Sequence, residues 1–215
     1  MNKKYCTIYI VRHAQSIHNA EYDDKKENLT KANELGSKLT NLGIEQAKAR
    51  AKSLKNIHFD KIFSSDFLRA KQTADIIALE HKLEVITNKL LREKYWGSYE
   101  GRLHKMDWEK LTALQKGLSD IEKMKVKISD DMESEYEALS RFITFLREVS
   151  VAYTGKTIMV VCHGNIMRSL LTHLGFGSYD DLPVGVIDNT GYYVLESDGV
   201  DFFVKEMVGI KRKDS

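Results

Sequence analysis

The architecture of this chain follows from one stretch near its start, which reads Thr7-Ile8-Tyr9-Ile10-Val11-Arg12-His13. Five β-branched or aromatic residues stop at a cation and an imidazole, a pattern that predicts a buried strand with two polar side chains at its carboxyl end. In open α/β sheets, ligands bind at that edge. A guanidinium can hold two oxygens of a tetrahedral anion while an imidazole presents one nitrogen as a nucleophile. Arg12 and His13 are therefore candidates for a phosphate site, although a strand-end histidine is more often a structural hydrogen-bonding group.

A second strand ends in the same way. Residues 157–162 are apolar throughout, as expected of a central parallel strand, and His163, Gly164 and Asn165 follow before a helical stretch begins at Ile166. The glycine allows backbone amides at the start of that helix to approach a ligand, so Gly164 and Asn165 are candidate phosphate-binding residues. The sequence thus predicts that both histidines lie at one edge of the sheet.

The third polar position follows a short predicted strand at residues 61–65. Asp66 is a plausible N-cap for the next helix, which places Arg69 in the first helical turn. A cation there opposes the helix dipole unless an anion is bound, so Arg69 is a second candidate phosphate ligand, with an exposed arginine as the alternative. Glu93 lies in a loop with two glycines and three aromatic residues, which predicts an ordered, tightly turned loop.

The remaining pattern predicts helices around this sheet. An amphipathic helix begins at Thr40, a stronger apolar stripe spans 136–149, and the charged segment 104–131 is helical in character. Residues 20–39 are polar and predict a solvated excursion, with a lid over the ligand as the alternative. A closing hairpin, 191–196 and 202–206, forms the sheet's edge. We therefore predict a three-layer α/β sandwich with a mostly parallel central sheet, an antiparallel edge and a single domain over 1–215 that carries a helical insertion at about 102–132.

Composition narrows the classes of partner. The net charge is +2 with both signs interspersed, so no broad field favours nucleic acid or a membrane surface. The first apolar run is too short for a signal peptide, and a cytoplasmic protein is expected. Cys6 and Cys162 are too few for a disulfide framework, and no zinc-type spacing occurs, so we expect no metal and no cofactor. The expected partner is a small phosphorylated substrate, and the hairpin edge allows a homodimer.

These candidates suit phosphoryl transfer. His13 would attack in line, while Arg12, Arg69 and a protonated His163 would stabilise the charge on the equatorial oxygens. Glu93 would protonate the leaving alkoxide and afterwards take a proton from water.

Five ordered motifs resemble those of the histidine phosphatase superfamily, which has the phosphoglycerate mutase-like fold. They are Arg12-His13-Ala14-Gln15-Ser16 with Asn19, the helix motif at 39–47, the arginine motif at 64–74, Leu91-Arg92-Glu93 with Gly97, Glu100 and Gly101, and Cys162-His163-Gly164-Asn165. The resemblance implies that His13 is the phosphorylated nucleophile and Glu93 the proton donor. It also implies a phosphate pocket of Arg12, Arg69 and His163, lined by Gln15 and Asn19. The chain departs from the family pattern at Ala14, usually glycine, and at His18, often aromatic in relatives.

Three alternatives compete with hydrolysis through His13. Mutases of the superfamily share the same residues, but the familiar sugar-acid mutases carry a longer, more basic insertion after the glutamate. Cys162 and Arg168 have the Cys-x5-Arg spacing of cysteine-dependent phosphatases, although that assignment leaves His13 and Glu93 without a role. A non-catalytic phosphate-binding regulator is the third.

Overall fold

A six-stranded mixed sheet lies at the centre of the computed structural model, which describes residues 5–23, 36–100 and 105–211. The order of the strands is β3-β2-β4-β1-β5-β6. The first four pair in parallel, whereas β5 is antiparallel to β1 and β6 is antiparallel to β5, which confirms the predicted mostly parallel sheet with an antiparallel edge. The strands are β1 (Cys6–Arg12), β2 (Lys61–Ser64), β3 (Val85–Thr87), β4 (Thr157–Cys162), β5 (Ile187–Ser197) and β6 (Phe202–Ile210).

Helices cover both faces of the sheet. Within the described residues they are α1 (Ile17–Asp23), α2 (Asn41–Leu54), α3 (Leu68–His81), α4 (Lys105–Gln115), α5 (Asp120–Lys123), α6 (Glu135–Ala152) and α7 (Gly164–His173). Side chains alternate across β1, so that Ile8 and Ile10 pack with α6 and α7, whereas Val11 packs with α2 and α3. Burial of apolar side chains on both faces produces the predicted three layers.

The observed starts of α2 and α3 can be compared with the predicted helix start at Thr40 and the predicted N-cap at Asp66. Thr40, where the sequence predicts that a helix begins, is the N-cap of α2, because its hydroxyl accepts a hydrogen bond from the Gly43 amide at 3.0 Å. The prediction for α3 was wrong: Phe67 is the N-cap residue and Asp66 caps nothing. The Asp66 carboxylate instead accepts two hydrogen bonds from Arg92, at 2.7 and 2.5 Å, because a guanidinium binds a carboxylate in bidentate fashion. The loop that carries Glu93 is thereby tied to the start of α3.

The helical insertion packs against the same loop. Trp96 lies in a small apolar cluster with Leu111, Ile128 and Met132, separate from the two clusters on the faces of the sheet. At Gly97 the backbone has φ of +59°, and a Cβ atom would lie 2.7 Å from Asp131, so the tight turn needs glycine. Helical structure at 105–115 and 120–123 agrees with the predicted insertion.

Two other expectations are only partly addressed by the structure. The predicted excursion at 20–39 falls mainly on residues 24–35, outside the described residues. The assignment of one domain to 1–215 stays a prediction. None of the helices in the described ranges is long and apolar enough to cross a membrane.

Candidate active site

The ends of β1 and β4 bring the two predicted histidines together. Arg12 lies opposite Cys162 in the parallel ladder, and the His13 amide continues the pairing by donating to the Cys162 carbonyl at 3.0 Å. The next residue of each strand is therefore a histidine at the same edge. The ring centroids of His13 and His163 are 5.2 Å apart, and the two side chains are 3% and 0% exposed. The edge predicted from sequence is thus a buried site with two imidazoles.

Hydrogen bonds fix the tautomer of His13. Nδ1 lies 2.8 Å from the Ala14 carbonyl oxygen, which can only accept, so Nδ1 carries the proton. Nε2 accepts a hydrogen bond of 3.2 Å from Arg69 Nε and therefore presents its lone pair. Burial, together with the charges of Arg69 and Arg12, holds the pKa of His13 well below its usual range. His13 is consequently a neutral imidazole with Nε2 available as a nucleophile.

His163 lies in an environment that disfavours a positive charge when no anion is bound. Its Nε2 is 2.9 Å from the Ser65 hydroxyl, and the Phe67 ring packs at 5.1 Å between centroids. Burial, reinforced by the charge of Arg69, holds the pKa of His163 well below its usual range. His163 is therefore neutral in the protein without a bound anion, and its protonated state during phosphoryl transfer stays a prediction.

Arg69 lies in the first turn of α3, as predicted, and is 3% exposed. Burial lowers its pKa to about 10, so it stays charged at neutral pH. Its carbonyl accepts from the Thr73 hydroxyl at 2.7 Å, and that hydroxyl accepts from the Ala14 amide at 3.0 Å. Thr73 thereby joins α3 to the residue that follows His13, which holds the guanidinium beside the imidazole.

Glu93 lies in the loop that follows Arg92, and its carboxylate contacts the start of α7. Its carboxylate is 8% exposed and accepts from the amides of Asn165 at 2.9 Å, Ile166 at 3.1 Å and Lys94 at 3.0 Å. A carboxylate at the N-terminus of a helix is stabilised by the helix dipole. The Asn165 amide, expected to bind phosphate, thus donates to Glu93 in this structure.

Close packing also explains the glycine after His163. Arg12, at the end of β1, donates to the Ile187 carbonyl, and a Cβ atom at Gly164 would lie 3.1 Å from Arg12 Nε. Glycine at position 164 lets the guanidinium lie against the start of α7. Gly164 therefore contributes to the site by allowing the approach of Arg12.

The segment after His13 is held against α2. The Gln15 side chain accepts from the Thr40 hydroxyl at 2.8 Å, and Asn19 Oδ1 accepts from the amide and hydroxyl of Ser16 at 3.1 Å each. The phosphate-lining roles of Gln15 and Asn19 stay predictions. The His18 amide donates to the Ser37 hydroxyl at 3.1 Å, which anchors this segment as well.

Ala14 is accommodated without strain. It clusters with Leu39 and Ala47 and is fully buried. It is not among the non-glycine residues with positive φ in the described chain, which are Lys82 and Thr190. The departure from glycine at this position is therefore tolerated, as alanine needs only ordinary backbone angles here.

The cysteine-based alternative does not fit the geometry. Both cysteines are free and buried, and burial raises the pKa of the Cys162 thiol far above its usual value. Arg168 donates to the Leu182 carbonyl and to Glu135, at 3.4 Å each, and its guanidinium lies 4.8 Å from the centre of the Tyr179 ring. Cys162 is a buried neutral thiol, and Arg168 belongs to a separate cluster between α6 and α7.

Sequence reasoning missed several residues of the site. Ser65 contacts His163 and Thr73 contacts Ala14, whereas Arg141 and Glu133 hold the loop that carries Glu93. Ser65 directly follows β2, so its position at the edge of the sheet could have singled it out. The described residues include no group of three or more His, Cys, Asp or Glu side chains arranged to bind a metal ion.

Comparison with known proteins identifies the family of this chain. The family model for the histidine phosphatase superfamily (branch 1) matches residues 8–208, and the chain belongs to that superfamily. It is 32% identical over 172 residues to phosphoglycerate mutase-like protein 4 of Arabidopsis thaliana, an alignment that covers 77% of this chain and 70% of that protein. It is 31% identical over 199 residues to putative phosphoserine phosphatase 2 of Hydrogenobacter thermophilus, covering 89% and 90% of the two chains.

The solved structures support the same fold. Superposition on the crystal structure of phosphoglycerate mutase from Bacillus anthracis str. Sterne gives a TM-score of 0.78 at 24% sequence identity. The matched region covers 97% of this chain and 95% of the mutase chain. The protein is accordingly a histidine phosphatase with a phosphoglycerate mutase-like fold.

Proposed function

We propose that the protein hydrolyses the phosphomonoester of a small phosphorylated metabolite through a phosphohistidine intermediate on His13. The observation that carries this proposal is the state of that imidazole. Its Nδ1 proton is held by the Ala14 carbonyl, and its Nε2 lone pair faces the Arg69 guanidinium at 3.2 Å. A buried neutral imidazole beside a fixed cation is suited to attack a phosphorus atom whose oxygens that cation binds.

The reaction divides into two steps. In the first, His13 Nε2 forms a bond to phosphorus while the ester P–O bond breaks, and Glu93, which takes part in this step in its protonated form, gives its proton to the leaving alkoxide. In the second, water attacks the phosphohistidine, Glu93 takes its proton, and inorganic phosphate leaves as His13 returns to the neutral state. Arg12 and Arg69 bind the phosphoryl oxygens throughout, joined by His163 once the bound anion favours its protonation.

A mutase-type phosphotransfer is the second candidate, because a relative and a solved neighbour carry mutase names. It requires a phosphorylated product to stay bound while water is excluded. Residues 105–131 contain charges of both signs rather than a basic surface, which favours hydrolysis. In the adjoining loop, Trp96 is buried in the insertion and Tyr95 is exposed, so Tyr95 is the aromatic ring that a substrate could contact.

The test is hydrolysis of an aryl phosphate with a chelator present, comparing the unmodified protein with His13→Ala and Cys162→Ser. We expect His13→Ala to abolish turnover and Cys162→Ser to retain it. An acid-labile, base-stable phosphoenzyme should be trapped in the unmodified protein and should be absent from His13→Ala. Turnover by His13→Ala with none by Cys162→Ser would overturn the assignment. Conversion of phosphoglycerates without release of inorganic phosphate would establish the mutase.

A further inference from the structure

We infer that Arg141, paired with Glu133, is a positioning residue that sets the place of Glu93 for proton transfer to the leaving group. The inference rests on the proposed function, in which Glu93 is the acid. Arg141 lies in α6, between the buried residues Leu139 and Phe142, so packing fixes its backbone against the sheet.

The Arg141 guanidinium binds the acid loop at three carbonyl oxygens. Nη1 donates to Leu90 at 2.8 Å and to Arg92 at 2.7 Å, and Nη2 donates to the carbonyl of Glu93 itself at 2.9 Å. Backbone carbonyls in a loop that lacks regular pairing would otherwise turn to water. A single side chain on a rigid helix therefore determines the path of the main chain through Glu93.

Glu133 completes the arrangement from the other side. It binds Arg141 in bidentate fashion, with Nε to Oε1 at 2.7 Å and Nη2 to Oε2 at 2.9 Å. Glu133 Oε2 also accepts from the Tyr95 amide at 3.1 Å, and the Glu133 amide donates to the Tyr95 carbonyl at 2.9 Å. The loop is consequently held before, at and after Glu93.

This arrangement constrains the main chain of Glu93, whereas α7 constrains its carboxylate through the Asn165 and Ile166 amides. Proton transfer depends steeply on distance, and a displacement of about 1 Å can cost a factor of about 100 in rate. Loss of the Arg141 contacts should therefore affect the reaction only where a proton must be delivered. A planar guanidinium supplies the required fork of donors, which a lysine ammonium cannot reproduce.

The test measures kcat/KM for two esters, an alkyl phosphate and an aryl phosphate with a good leaving group. This constant reports the first, phosphorylating step, and only the alkyl ester needs a proton on its leaving oxygen. We expect Arg141→Gln and Arg141→Lys to lose about 10- to 100-fold with the alkyl ester and to stay near the unmodified value with the aryl ester. Glu133→Gln should show the same selectivity with a smaller loss.

Control variants distinguish a positioning role of Arg141 from a loss of protein stability and from a general effect of removing a positive charge. Arg147→Gln, an exposed arginine on the same helix, should leave both constants unchanged. The double variant Glu93→Gln/Arg141→Gln should be no slower with the alkyl ester than Glu93→Gln alone, because two residues acting through one group are not additive. Thermal unfolding of each variant verifies that it is folded at the assay temperature.

The possible failures are distinguishable. If Glu93→Gln hydrolyses the alkyl ester as fast as the unmodified protein, the proposed role of Glu93 fails and the inference falls with it. If Glu93→Gln is slow but Arg141→Gln is not, the inference alone is overturned. Equal losses with both esters, or full recovery in Arg141→Lys, would also overturn it, since the first indicates a general structural effect and the second an effect of charge alone.

Discussion

Arg69 Nε donates directly to Nε2 of His13, across 3.2 Å. The contact has two consequences. Together with burial, it keeps the imidazole neutral, because a proton on Nε2 would face the cation. It also occupies the lone pair that attacks phosphorus in the proposed mechanism. In that mechanism, attack requires Arg69 to turn its N–H groups from Nε2 to the phosphoryl oxygens. Substrate binding and activation of the nucleophile are thus coupled through one side chain.

Replacement of this cation should change both the rate and the pH dependence. In Arg69→Met we expect kcat/KM to fall by about 100- to 1000-fold, the effect of removing one oxyanion donor. Burial and then Arg69 lower the pKa of His13, so loss of the cation raises that pKa. Because His13 must be neutral to attack, the acidic limb of the pH profile of kcat/KM should move to higher pH. Lys71→Met, an exposed position on the same helix, is the control, and an unmoved limb would contradict the coupling.

The two buried histidines should also make stability depend on pH. Both have pKa values in the folded protein below the value of about 6.5 expected in the unfolded chain. The unfolded state therefore binds more protons as the pH falls below about 6.5, and stability decreases there by up to ~1.4 kcal/mol per pH unit for each histidine. Above about pH 6.5 both histidines are neutral in the folded and the unfolded state, so this loss of stability is absent.

Thermal unfolding between pH 5 and pH 8 measures this effect. The decline below pH 6.5 should be shallower in His163→Gln than in the unmodified protein. His173→Gln, an exposed position on α7, should leave the slope unchanged. Identical slopes in all three proteins would show that the buried imidazoles do not control the acid sensitivity.

The elements that position the site could be predicted because their signals are local. The apolar runs that end in Arg12-His13 and Cys162-His163 predict two strands and the positions at which these strands end. The parallel pairing of β1 with β4 then brings the two histidines to the same edge of the sheet. The Thr40 cap was predictable for the same reason, since capping involves residues three apart in sequence.

The missed features all depend on contacts between distant parts of the chain. Asp66 has the composition of an N-cap, but its preferred partner is Arg92, which is 26 residues away. Arg141 bonds carbonyls 48 to 51 residues away, and a carbonyl carries no side-chain signal in the sequence. Its one local signal is a charged residue beside the buried stripe of α6. The protonation of His163 likewise depends on three-dimensional burial and nearby cations.

The contact between α2 and the segment after His13 leads to a prediction about glycine. A Cβ atom at Gly43 would lie 2.0 Å from the Gln15 carbonyl oxygen, a backbone atom that cannot move alone. Gly43→Ala should therefore push α2 away from this segment, lower the free energy of unfolding by about 1–3 kcal/mol and reduce kcat/KM. Gly36→Ala is the matched control, because nothing lies within 4 Å of its Cβ position. Urea unfolding measures the difference, and equal stabilities would contradict the close approach.

Arg168 provides a test that separates stability from catalysis. It is 7% exposed and pairs with Glu135, which also accepts from Ser169 and Tyr179. Arg168→Met should lower the free energy of unfolding by about 3–5 kcal/mol, because it removes the paired cation from a largely buried carboxylate. At a temperature where the variant is folded, kcat/KM for an aryl phosphate should remain near the unmodified value.

Neutralising the carboxylate provides the control. The double variant Arg168→Met/Glu135→Gln should recover part of the lost stability, since the buried charge is then removed together with its partner. A cysteine-dependent mechanism predicts a different result, because an arginine six residues after the nucleophile would bind the phosphate. Under that mechanism, Arg168→Met would lose activity even when fully folded. Retained activity with reduced stability would assign Arg168 to the packing between α6 and α7, and would leave Arg12 and Arg69 as the arginines of the proposed phosphate site.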